Sequence, residues 1–284
     1  MAEPAATLES VRLRYGRHVA LADLTTSLPQ GTIIGLVGRN GAGKSSLLRA
    51  LVGREPGHTG AIRVGGLPVR RLGRALGLAH LSGDDWPYAA DQNLRSMLGA
   101  LRRTRPGFDA ARAAELLEAF GVPLAGFKRN LSRGQFSAAQ SALGLATRAP
   151  LTLLDEPQLG LDAPSRERLA ALIVQEQADW PRTIVISTHL IDETAPLFER
   201  LLVLDAGRLV ADDDVDVLLG RYLRVQADAA TLENLPHLGA IERLGGRASA
   251  VVPADAVPRE LVDRAHPLTL QALASVLPLD RKDH

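Results

Sequence analysis

A glycine-rich turn near the amino terminus has the residue types that bind phosphate groups. Residues 38–45 read GRNGAGKS and match the pattern G-x-x-x-x-G-K-[ST], between an expected strand and an expected helix. Glycines let backbone amides approach phosphate oxygens, and the amino terminus of the helix adds partial positive charge. The residues that we expect to bind nucleotide phosphates here are Gly38, Asn40, Gly41, Gly43, Lys44, Ser45 and Ser46.

Two side chains at the end of this turn carry the expected charge chemistry. We expect Lys44 to reach the β- and γ-phosphates of a nucleotide and the Ser45 hydroxyl to bind Mg²⁺. The alternative is a glycine-rich loop that matches the pattern by chance. Lysine is rare in this chain, since the only others are Lys128 and Lys282, and a lysine at this position makes chance the weaker explanation.

A pair of acids follows a short apolar run 111 residues after Lys44. Residues 151–157 read LTLLDEP, so β-prone residues bring Asp155 and Glu156 to the carboxyl end of a strand, where α/β sheets bind ligands. We expect Asp155 to hold Mg²⁺, directly or through water, and Glu156 to polarise the attacking water. Two acids at a strand end usually form a solvated turn, but the phosphate-binding pattern upstream favours the catalytic interpretation.

A third motif, LSRGQ at residues 131–135, precedes a helical pattern over 136–147. Ser132 and Gly134 fit an ordinary helix cap, in which the serine hydroxyl accepts hydrogen bonds from free backbone amides. They fit equally well a helix amino terminus that binds a phosphate on another subunit. Taken alone, the motif favours the cap.

The elements that must position these residues alternate along the chain. Helical spacing runs from about 87 to 148, and a glycine-bounded hairpin is expected at 60–70. Strands followed by helices of this length predict a parallel sheet with crossover helices. Expected strands lie at 11–15, 32–37, 151–154, 183–187 and 201–205, and expected helices at 165–177 and 191–198.

The pattern weakens after Gly207, where three aspartates at 212–214 interrupt it. Residues 222–226 and 248–252 are β-like, and a helix is expected at 258–265. We therefore expect a main domain over residues 1–220 and a small α+β accessory domain over residues 221–284.

Composition excludes several classes of function. The 284 residues are 46% hydrophobic and 23% charged, which fits a globular protein with a packed core. Basic residues number 33 and acidic residues 32, so bulk charge gives no reason to expect nucleic acid as a partner. Cysteine is absent, which excludes disulfides, thiolate metal sites and cysteine nucleophiles.

No membrane segment is expected either. No uninterrupted apolar run approaches the roughly 18–20 residues that cross a bilayer. The first ten residues, MAEPAATLES, contain no basic segment followed by an apolar one, so we expect no secretory signal.

Taken together, the motifs resemble those of the nucleotide-binding subunit of an ATP-binding cassette (ABC) transporter, over about residues 7–215. The segments occur in the order GRNGAGKSS, LSRGQ, LTLLDEP, QLGLD and STH. The resemblance implies an α/β fold, the P-loop NTPase ABC ATPase fold with an antiparallel β subdomain and a helical subdomain at about 87–148. The accessory region at 221–284 would be a small C-terminal α+β appendage.

The resemblance also assigns roles to individual residues. Tyr15 resembles the aromatic that stacks on adenine, with a half-buried strand aromatic as the alternative. Ser132, Gly134 and Gln135 resemble the signature segment, which contacts the γ-phosphate of ATP held by the opposite subunit.

Two further residues match motifs near the acidic pair. Asp162, in residues 160–162, resembles the D-loop that communicates between the two sites, and it also fits a cap of the next helix. His189 resembles the switch histidine that contacts the γ-phosphate, with an ordinary histidine at a strand end as the alternative.

The chain departs from the family's pattern at one loop. ABC cassettes usually have a glutamine after the strand near residues 76–81, where it contacts Mg²⁺ and the transmembrane partner. Counting back from the Trp-Pro pair puts Leu81 at this position, and leucine cannot bind a metal. His80, Asp84 and Asp85 are candidates to replace it.

The signature segment also departs from the pattern. Arg133 stands where the commonest signature has glycine, and residues 137–140 lack the usual glutamine–arginine pair. We therefore expect turnover that is slow or dependent on a partner.

The resemblance implies ATP hydrolysis with Mg²⁺ by two cassettes that meet head to tail. It implies an integral membrane permease as partner, export as the direction, and a place at the cytoplasmic face of the cell membrane. Trp86, Tyr88 and Met97 are candidates to line the groove for that partner, or else ordinary core residues.

Two alternative functions stay open. One is a soluble ABC-type ATPase that acts on ribosomes or DNA, and the other is a regulatory module that binds ATP without useful hydrolysis. The transported substrate cannot be inferred.

Overall fold

The computed structural model describes residues 3–70, 77–83, 92–244 and 247–277. Within these ranges the chain forms three β-sheets and nine α-helices. The strands are β1 (Ala6–Tyr15), β2 (His18–Leu28), β3 (Ile33–Val37), β4 (Thr59–Val64), β5 (Leu67–Pro68), β6 (Ala79–Ser82), β7 (Leu151–Asp155), β8 (Thr183–Thr188), β9 (Arg200–Asp205), β10 (Arg208–Asp214), β11 (Tyr222–Ala227), β12 (Leu238–Leu244), β13 (Arg247–Pro253) and β14 (Ala265–Pro267). The α-helices are α1 (Lys44–Leu51), α2 (Leu94–Thr104), α3 (Ala110–Ala119), α4 (Arg133–Ala146), α5 (Ala163–Asp179), α6 (Ile191–Thr194), α7 (Val215–Gly220), α8 (Ala229–Glu233) and α9 (Leu270–Val276).

The central sheet has six strands in the order β10-β9-β3-β8-β7-β6. All neighbouring pairs are parallel except β9 and β10, which form an antiparallel edge. Every residue of β3 and β8 is buried, as expected for central strands covered on both faces. Because β3, β8 and β7 are parallel neighbours, the residues that follow them meet at one edge of the sheet.

The first sheet is antiparallel, in the order β2-β1-β4-β5. The hairpin expected at 60–70 is formed by β4 and β5. Gly65 and Gly66 join them with φ angles of 53° and 73°, the left-handed conformation that a two-residue hairpin turn requires. The sheet packs its inner face against α1 and one face of the central sheet within one apolar cluster.

The helical segment comprises α2, α3 and α4, which pack on one another. Leu94, Met97, Leu98 and Leu101 form the buried face of α2, at the spacing that the sequence predicts. Met97 has no exposed surface, so its candidacy as a groove residue is wrong and its alternative as a core residue is correct. The other two groove candidates, Trp86 and Tyr88, lie outside the described residues.

The carboxyl-terminal part forms a third sheet in the order β12-β13-β11-β14. It has a small apolar core of its own around Val225, Leu232 and Val252. However, α9 packs against α6 and α7 and shares the larger apolar cluster with them. The division into domains at residues 220 and 221 therefore stays a prediction.

The helix expected at 258–265 is present as a 3₁₀-helix over Arg259–Arg264. One local expectation before this part is wrong. The three aspartates at 212–214 do not interrupt the pattern but continue β10. Their charges are paired, since Arg200 contacts Asp212 at 2.6 Å and Asp214 at 3.4 Å, and Arg221 pairs with Asp213. Among the described helices, none is long and apolar enough to cross a membrane.

Candidate functional site

The glycine-rich turn between β3 and α1 forms the floor of a cleft of about 270 Å³. Gly41 and Gly43 have φ angles of 82° and 108°, which side-chain-bearing residues rarely adopt. A side chain at Gly43 would also collide with the carbonyl oxygen of Ala20, so glycine is required there for space as well. The residues that line the cleft are His18, Ala20, Asn40, Gly41, Ala42, Gly43, Lys44, Ser45, Ser46 and Glu156.

The start of α1 is open to a ligand. The residue at its N-cap is Gly43, and in the described part of the chain no side chain caps this helix. The first N–H groups of a helix have no partner within it, and they carry partial positive charge. An anion such as a phosphate therefore finds hydrogen-bond donors at this end of the cleft.

Lys44 lies across the turn with a side chain that is only 7% exposed. Its Nζ donates hydrogen bonds to the carbonyl oxygens of Gly38, at 2.7 Å, and Arg39, at 3.4 Å. The same Nζ lies 3.6 Å from Oε1 of Glu156. The ammonium group is thus largely withdrawn from water and held at the wall of the cleft.

The acidic pair lies at the end of β7, as the sequence predicts. Asp155 accepts a hydrogen bond from the hydroxyl of Ser187 on β8. The backbone N–H of Glu156 donates to the same hydroxyl oxygen at 3.0 Å and to the Ser187 carbonyl oxygen at 3.2 Å. Glu156 itself has a left-handed φ of 49°, which turns its side chain away from the strand direction.

Glu156 contacts both of the other residues that are predicted to be catalytic, Lys44 and His189. Its Oε1 faces Lys44, and its Oε2 lies 2.8 Å from Nδ1 of His189. The imidazole of His189 is exposed at the end of β8, so it is not a buried histidine of the core. The structure brings the three together, and their roles in catalysis stay predictions.

The residues predicted to bind Mg²⁺ offer suitable ligand atoms. Ser45 and Asp155 supply a hydroxyl and a carboxylate, which are the oxygen donors that Mg²⁺ prefers. The described residues include no group of three or more His, Cys, Asp or Glu side chains that could hold a metal alone. Such a site fits Mg²⁺, which keeps several waters and shares phosphate oxygens with one or two protein ligands.

Tyr15 stands at the end of β1 and is 43% exposed, so a half-buried strand aromatic stays the alternative to a residue that stacks on adenine. Its hydroxyl donates to Oε1 of Glu55 at 2.5 Å and accepts from Arg49 at 3.2 Å. Burial opposes the charge of Arg49, but hydrogen bonds with Tyr15 and Glu55 outweigh it and raise the pKa of Arg49. The hydroxyl also lies 3.5 Å from Oγ of Ser46, beside the cleft. Stacking of Tyr15 on adenine stays a prediction.

Ser132 is the N-cap of α4, as the residues alone suggested. Its hydroxyl accepts a hydrogen bond from the backbone N–H of Gln135, and the Gln135 side chain accepts one from the backbone of Ser132, both at 3.1 Å. Among the hydrogen bonds and ion pairs of the described residues, none joins this segment to Lys44 or Glu156. Contact with ATP of an opposite subunit stays a prediction.

Gly134 packs against the turn that precedes α5. A side chain at Gly134 would lie 2.6 Å from the carbonyl oxygen of Gly160. Asp162 caps α5 and accepts a hydrogen bond from the backbone N–H of Ser165 at 3.0 Å. Hydrogen bonds from the Ser165 side chain and backbone lower the pKa of Asp162. The cap is therefore real, and the role of Asp162 between two sites stays a prediction.

The expectation that Leu81 stands on a loop is wrong. Leu81 lies within β6, buried opposite Leu153 of β7, and the strand continues through Ser82. The first residue after the strand is Gly83, where a Cβ atom would lie 3.0 Å from Cβ of Asp155. The position beside the acidic pair therefore has no side chain.

Of the three candidates to replace a loop glutamine, the structure describes only His80. Asp84 and Asp85 lie outside the described residues. His80 is on β6, and burial, with a smaller contribution from Arg105, lowers its pKa to about 3. Its imidazole is therefore neutral near pH 7, and its Nδ1 has no partner in the described part of the chain.

A glutamine that the sequence analysis did not predict lies beside Gly83. Gln140 of α4 donates its side-chain N–H to the carbonyl oxygen of Gly83. The hydroxyl of Ser82 in turn donates to the carbonyl oxygen of Gln140 at 3.0 Å. The helix of the signature segment is thus tied to the strand next to the acidic pair. No local pattern could reveal this, because Gln140 and Gly83 are far apart in the chain.

Comparison with known proteins places these features in a family. The family described as ABC transporter matches residues 21–159. An ABC transporter ATP-binding protein of Streptomyces avermitilis is 40% identical over 216 residues, which cover 74% of this chain and 38% of that protein. The chain therefore spans little more than a third of that relative.

Relatives of more similar length have different names. The daunorubicin resistance ATP-binding protein DrrA3 of Streptomyces coeruleorubidus is 33% identical, over 77% of this chain and 71% of that protein. The aliphatic sulfonates import ATP-binding protein SsuB of Mycobacterium avium is 34% identical, over 75% of this chain and 82% of that protein.

Solved structures confirm the predicted fold. An ATP-binding subunit of an ABC transporter matches with a TM-score of 0.68 and 22% identity, over 75% of this chain and 91% of that one. A dimeric ATP-binding cassette in a post-hydrolysis state with ADP and Pi matches with a TM-score of 0.66 and 20% identity, over 74% and 98%. The chain belongs to the ATP-binding proteins of the ABC transporter family.

Proposed function

We propose that this chain binds ATP and Mg²⁺ in the cleft above the glycine-rich turn and hydrolyses ATP there. The observation that carries the proposal is the meeting of Lys44, Glu156 and His189, within 3.6 Å and 2.8 Å of one carboxylate, at the wall of this cleft. The residues supply positioning and charge rather than a covalent intermediate, as phosphoryl transfer requires.

The residues predicted to bind or hydrolyse ATP have distinct roles in the proposed reaction. The turn and the start of α1 hold the phosphates through backbone N–H groups, and Lys44 exchanges its contact with Glu156 for a phosphate oxygen. Glu156 orients the attacking water, and His189 fixes Glu156 and approaches the γ-phosphate. Mg²⁺, bound by Ser45 and Asp155, would neutralise negative charge on the phosphates.

Hydrolysis is proposed to involve a pair of cassettes arranged head to tail. Ser132, Gly134 and Gln135 would complete the site of the opposite cassette, while Tyr15 stacks on the adenine of the chain's own ATP. The start of α4 supports this role, because its cap takes the N–H of Gln135 and the N–H groups before it have no partner within the helix. ATP that binds the closed pair more tightly than the open pair supplies the work of closure.

The transport role is also a proposal. The pair would drive a separate integral membrane permease from the cytoplasmic face of the cell membrane. The name of SsuB describes import, which supports transport, and the name of DrrA3 describes drug resistance, which export of a drug would give. Since SsuB, with an import name, is equally similar, the identity of the permease must decide the direction.

The first test compares wild-type protein with Glu156→Gln. Wild type is expected to hydrolyse ATP with Mg²⁺, and the variant to bind ATP as tightly but to turn over about 100- to 10,000-fold more slowly. The variant is also expected to retain ATP in a stable pair on gel filtration. Equal rates of hydrolysis in the two proteins would refute the catalytic proposal. They would favour a regulatory ATP-binding module, which the missing side chain at Gly83 also favours.

The second test seeks the partner. Tagged Glu156→Gln protein is used to recover complexes from detergent-solubilised membranes of the native host, with ATP and Mg²⁺ present. A polytopic membrane protein should be recovered with ATP and lost when Lys44→Ala is used instead. Recovery of soluble proteins alone would contradict the transport role and favour a soluble ABC-type ATPase.

A further inference from the structure

Gln158 is a buried glutamine in the turn between β7 and α5, and the predicted site does not include it. Its side chain is 2% exposed, and its Nε2 donates a hydrogen bond to Oγ1 of Thr188. Its Oε1 is buried and has no hydrogen-bond partner among the described residues. Buried polar groups are nearly always paired, and an unpaired amide oxygen costs free energy of folding. The presence of glutamine here therefore indicates that its one hydrogen bond has a role.

The hydroxyl that Gln158 contacts belongs to the residue before His189. Thr188 is the last residue of β8 and has no exposed surface. Its Oγ1 also accepts a hydrogen bond from the backbone N–H of Leu190 at 2.9 Å. One oxygen atom therefore ties together the residues on both sides of His189, and Gln158 holds that atom from the side.

Several hydrogen bonds join the turn after β7 to the end of β8 and the turn that follows it. The backbone N–H of Glu156 donates to Ser187, and the side chain of Glu156 contacts His189 at 2.8 Å. The bond from Gln158 to Thr188 is the deepest of these links, since both residues are buried. Both partners are shielded from bulk solvent, so we expect loss of this bond to release the turn that sets the distance between His189 and Glu156.

Gln158 also lies next to the segment that contacts Gly134. Its carbonyl oxygen accepts a hydrogen bond from the backbone N–H of Leu161 at 3.1 Å, which closes the turn that contains Gly160. Gly160 packs against the start of α4. A contiguous set of contacts thus runs from the signature segment, through Gln158, to the turn of His189.

We propose that Gln158 is a positioning residue for ATP hydrolysis, which holds the turn of His189 at hydrogen-bond distance from Glu156. This rests on the proposed ATPase function. Gln158 does not line the cleft, so it acts through Thr188 and changes turnover rather than nucleotide binding.

The kinetic test measures kcat and KM for ATP in the full-length protein. Gln158→Ala is expected to lower kcat about 10-fold and to change KM less than about 2-fold, because a small displacement of a catalytic group slows the chemical step. Gln177→Ala is the matched control, since Gln177 donates to the carbonyl oxygen of Gly31 at 2.7 Å at the other end of the sheet. An equal fall in kcat for both variants would overturn the proposal.

A double-mutant cycle tests whether Gln158 acts through Thr188. Thr188→Val is expected to lower kcat as much as Gln158→Ala, with little further loss when the two are combined. Thr188→Ser keeps the hydroxyl and should restore most of the activity. Independent effects, which would multiply to about 100-fold in the double variant, would contradict the proposed route. If Gln158→Ala fails to fold, Gln158→Met, which keeps the length of the side chain and removes the donor to Thr188, takes its place in the cycle.

An NMR measurement separates this proposal from the proposed function. The imidazole signal of His189, assigned by its loss in His189→Gln, is compared in nucleotide-free wild type, Gln158→Ala and Gln177→Ala. A shift or broadening in Gln158→Ala alone supports positioning, even if the wild type proves to be no ATPase. An unchanged signal together with unchanged kcat would refute the positioning role and leave the ATPase proposal intact.

Discussion

The two ends of the central sheet carry similar residues but use them differently. At the carboxyl ends of β3, β7 and β8, Lys44 and Glu156 face each other at 3.6 Å beside the cleft. At the amino ends of the same strands, Glu176 of α5 receives Arg112 at 2.7 Å and Arg182 at 3.1 Å. The longer separation of the first pair lets Lys44 change its partner, whereas two arginines enclose the carboxylate of Glu176.

The cluster at the amino ends is buried more deeply. The side chains of Glu176 and Arg182 are 3% and 1% exposed, and burial lowers the pKa of Arg182. Next to it, the guanidinium group of Arg148 lies 4.5 Å from the ring centre of Trp180 and contacts Asp109 at 2.6 Å. These contacts hold α3, α5, the end of α4 and the start of β8 together.

Backbone strain does not distinguish the two ends. Glu156 at the cleft and Arg148 at the opposite end both have left-handed φ angles, 49° and 51°. The two ends differ in the ion-pair partners of their buried charged groups. A buried lysine whose carboxylate partner is also held by His189 is suited to accept a phosphate, while a carboxylate enclosed by two arginines is suited to hold elements in place.

The comparison is tested most strongly by removing the cation from the cleft. Lys44→Met is expected to lower ATP turnover about 100- to 1,000-fold, as loss of one preorganised donor to a transition state does. It should also abolish the rise in melting temperature that ATP and Mg²⁺ give to wild type. Without nucleotide, the free energy of unfolding should change by less than about 1 kcal/mol, because its ion-pair partner Glu156 retains His189.

Lys128→Met is the matched control, since Lys128 lies over the ring of Phe136 at 5.5 Å and outside the cleft. Turnover is measured at saturating ATP, and stability by urea unfolding. A Lys44→Met protein that is strongly destabilised without nucleotide would mean that both ends of the sheet serve stability.

The second prediction removes the carboxylate at the opposite end. Glu176→Ala leaves the buried Arg182 without its carboxylate partner and is expected to lower the free energy of unfolding by about 3 kcal/mol or more. The kcat and KM for ATP, measured well below the melting temperature, should stay within about 2-fold of wild type.

Glu115→Ala provides the control, since Glu115 pairs with the same Arg112 at 3.0 Å but is mostly exposed. Its effect on unfolding should be below about 1 kcal/mol. Equal destabilisation by the two variants would show that burial of Glu176 adds nothing. A large fall in kcat for Glu176→Ala would show that the two ends are coupled.

What the sequence predicts well is the part of the site made by short segments. The turn at 38–45 and the acids at 155 and 156 each depend on a strand and the residues directly after it. Local residue types dictate such geometry: glycine supplies φ angles of 82° and 108°, and apolar runs become buried strands. The order of these segments then identifies the family.

What the sequence does not predict is set by tertiary contacts. Gln140 reaches Gly83, Gln158 reaches Thr188 and Glu176 reaches Arg112 across separations of 57, 30 and 64 residues. Counting from a neighbouring motif places Leu81 on a loop, because the count cannot show where β6 ends. The aspartates at 212–214 break an apolar pattern, and arginines from neighbouring elements make them compatible with a strand.

The smallest effect is expected at Asp109, where a helix cap and a partly buried ion pair coincide. Asp109 caps α3 by accepting a hydrogen bond from the backbone N–H of Arg112 at 2.9 Å. This bond, opposed in part by burial and aided by Arg148, lowers the pKa of Asp109 below its ordinary value of 3.8. Asp109→Ala should lower the free energy of unfolding at neutral pH by about 1 kcal/mol, the usual effect of losing a cap.

Asp109→Asn separates the charge from the cap, because asparagine keeps the acceptor oxygen. The folded protein holds the charged form of Asp109 more firmly than the unfolded chain does, so the unfolded chain takes up a proton first as the pH falls. The advantage of wild type over Asp109→Asn should therefore be complete above the ordinary pKa of 3.8 and should disappear as the pH falls through the lower pKa of the folded state. Urea unfolding at a series of pH values from neutral downward measures this difference. An advantage that stays constant with pH would assign the stabilisation to the shape of the cap, and the charges at this end of the sheet would then matter only where they are buried.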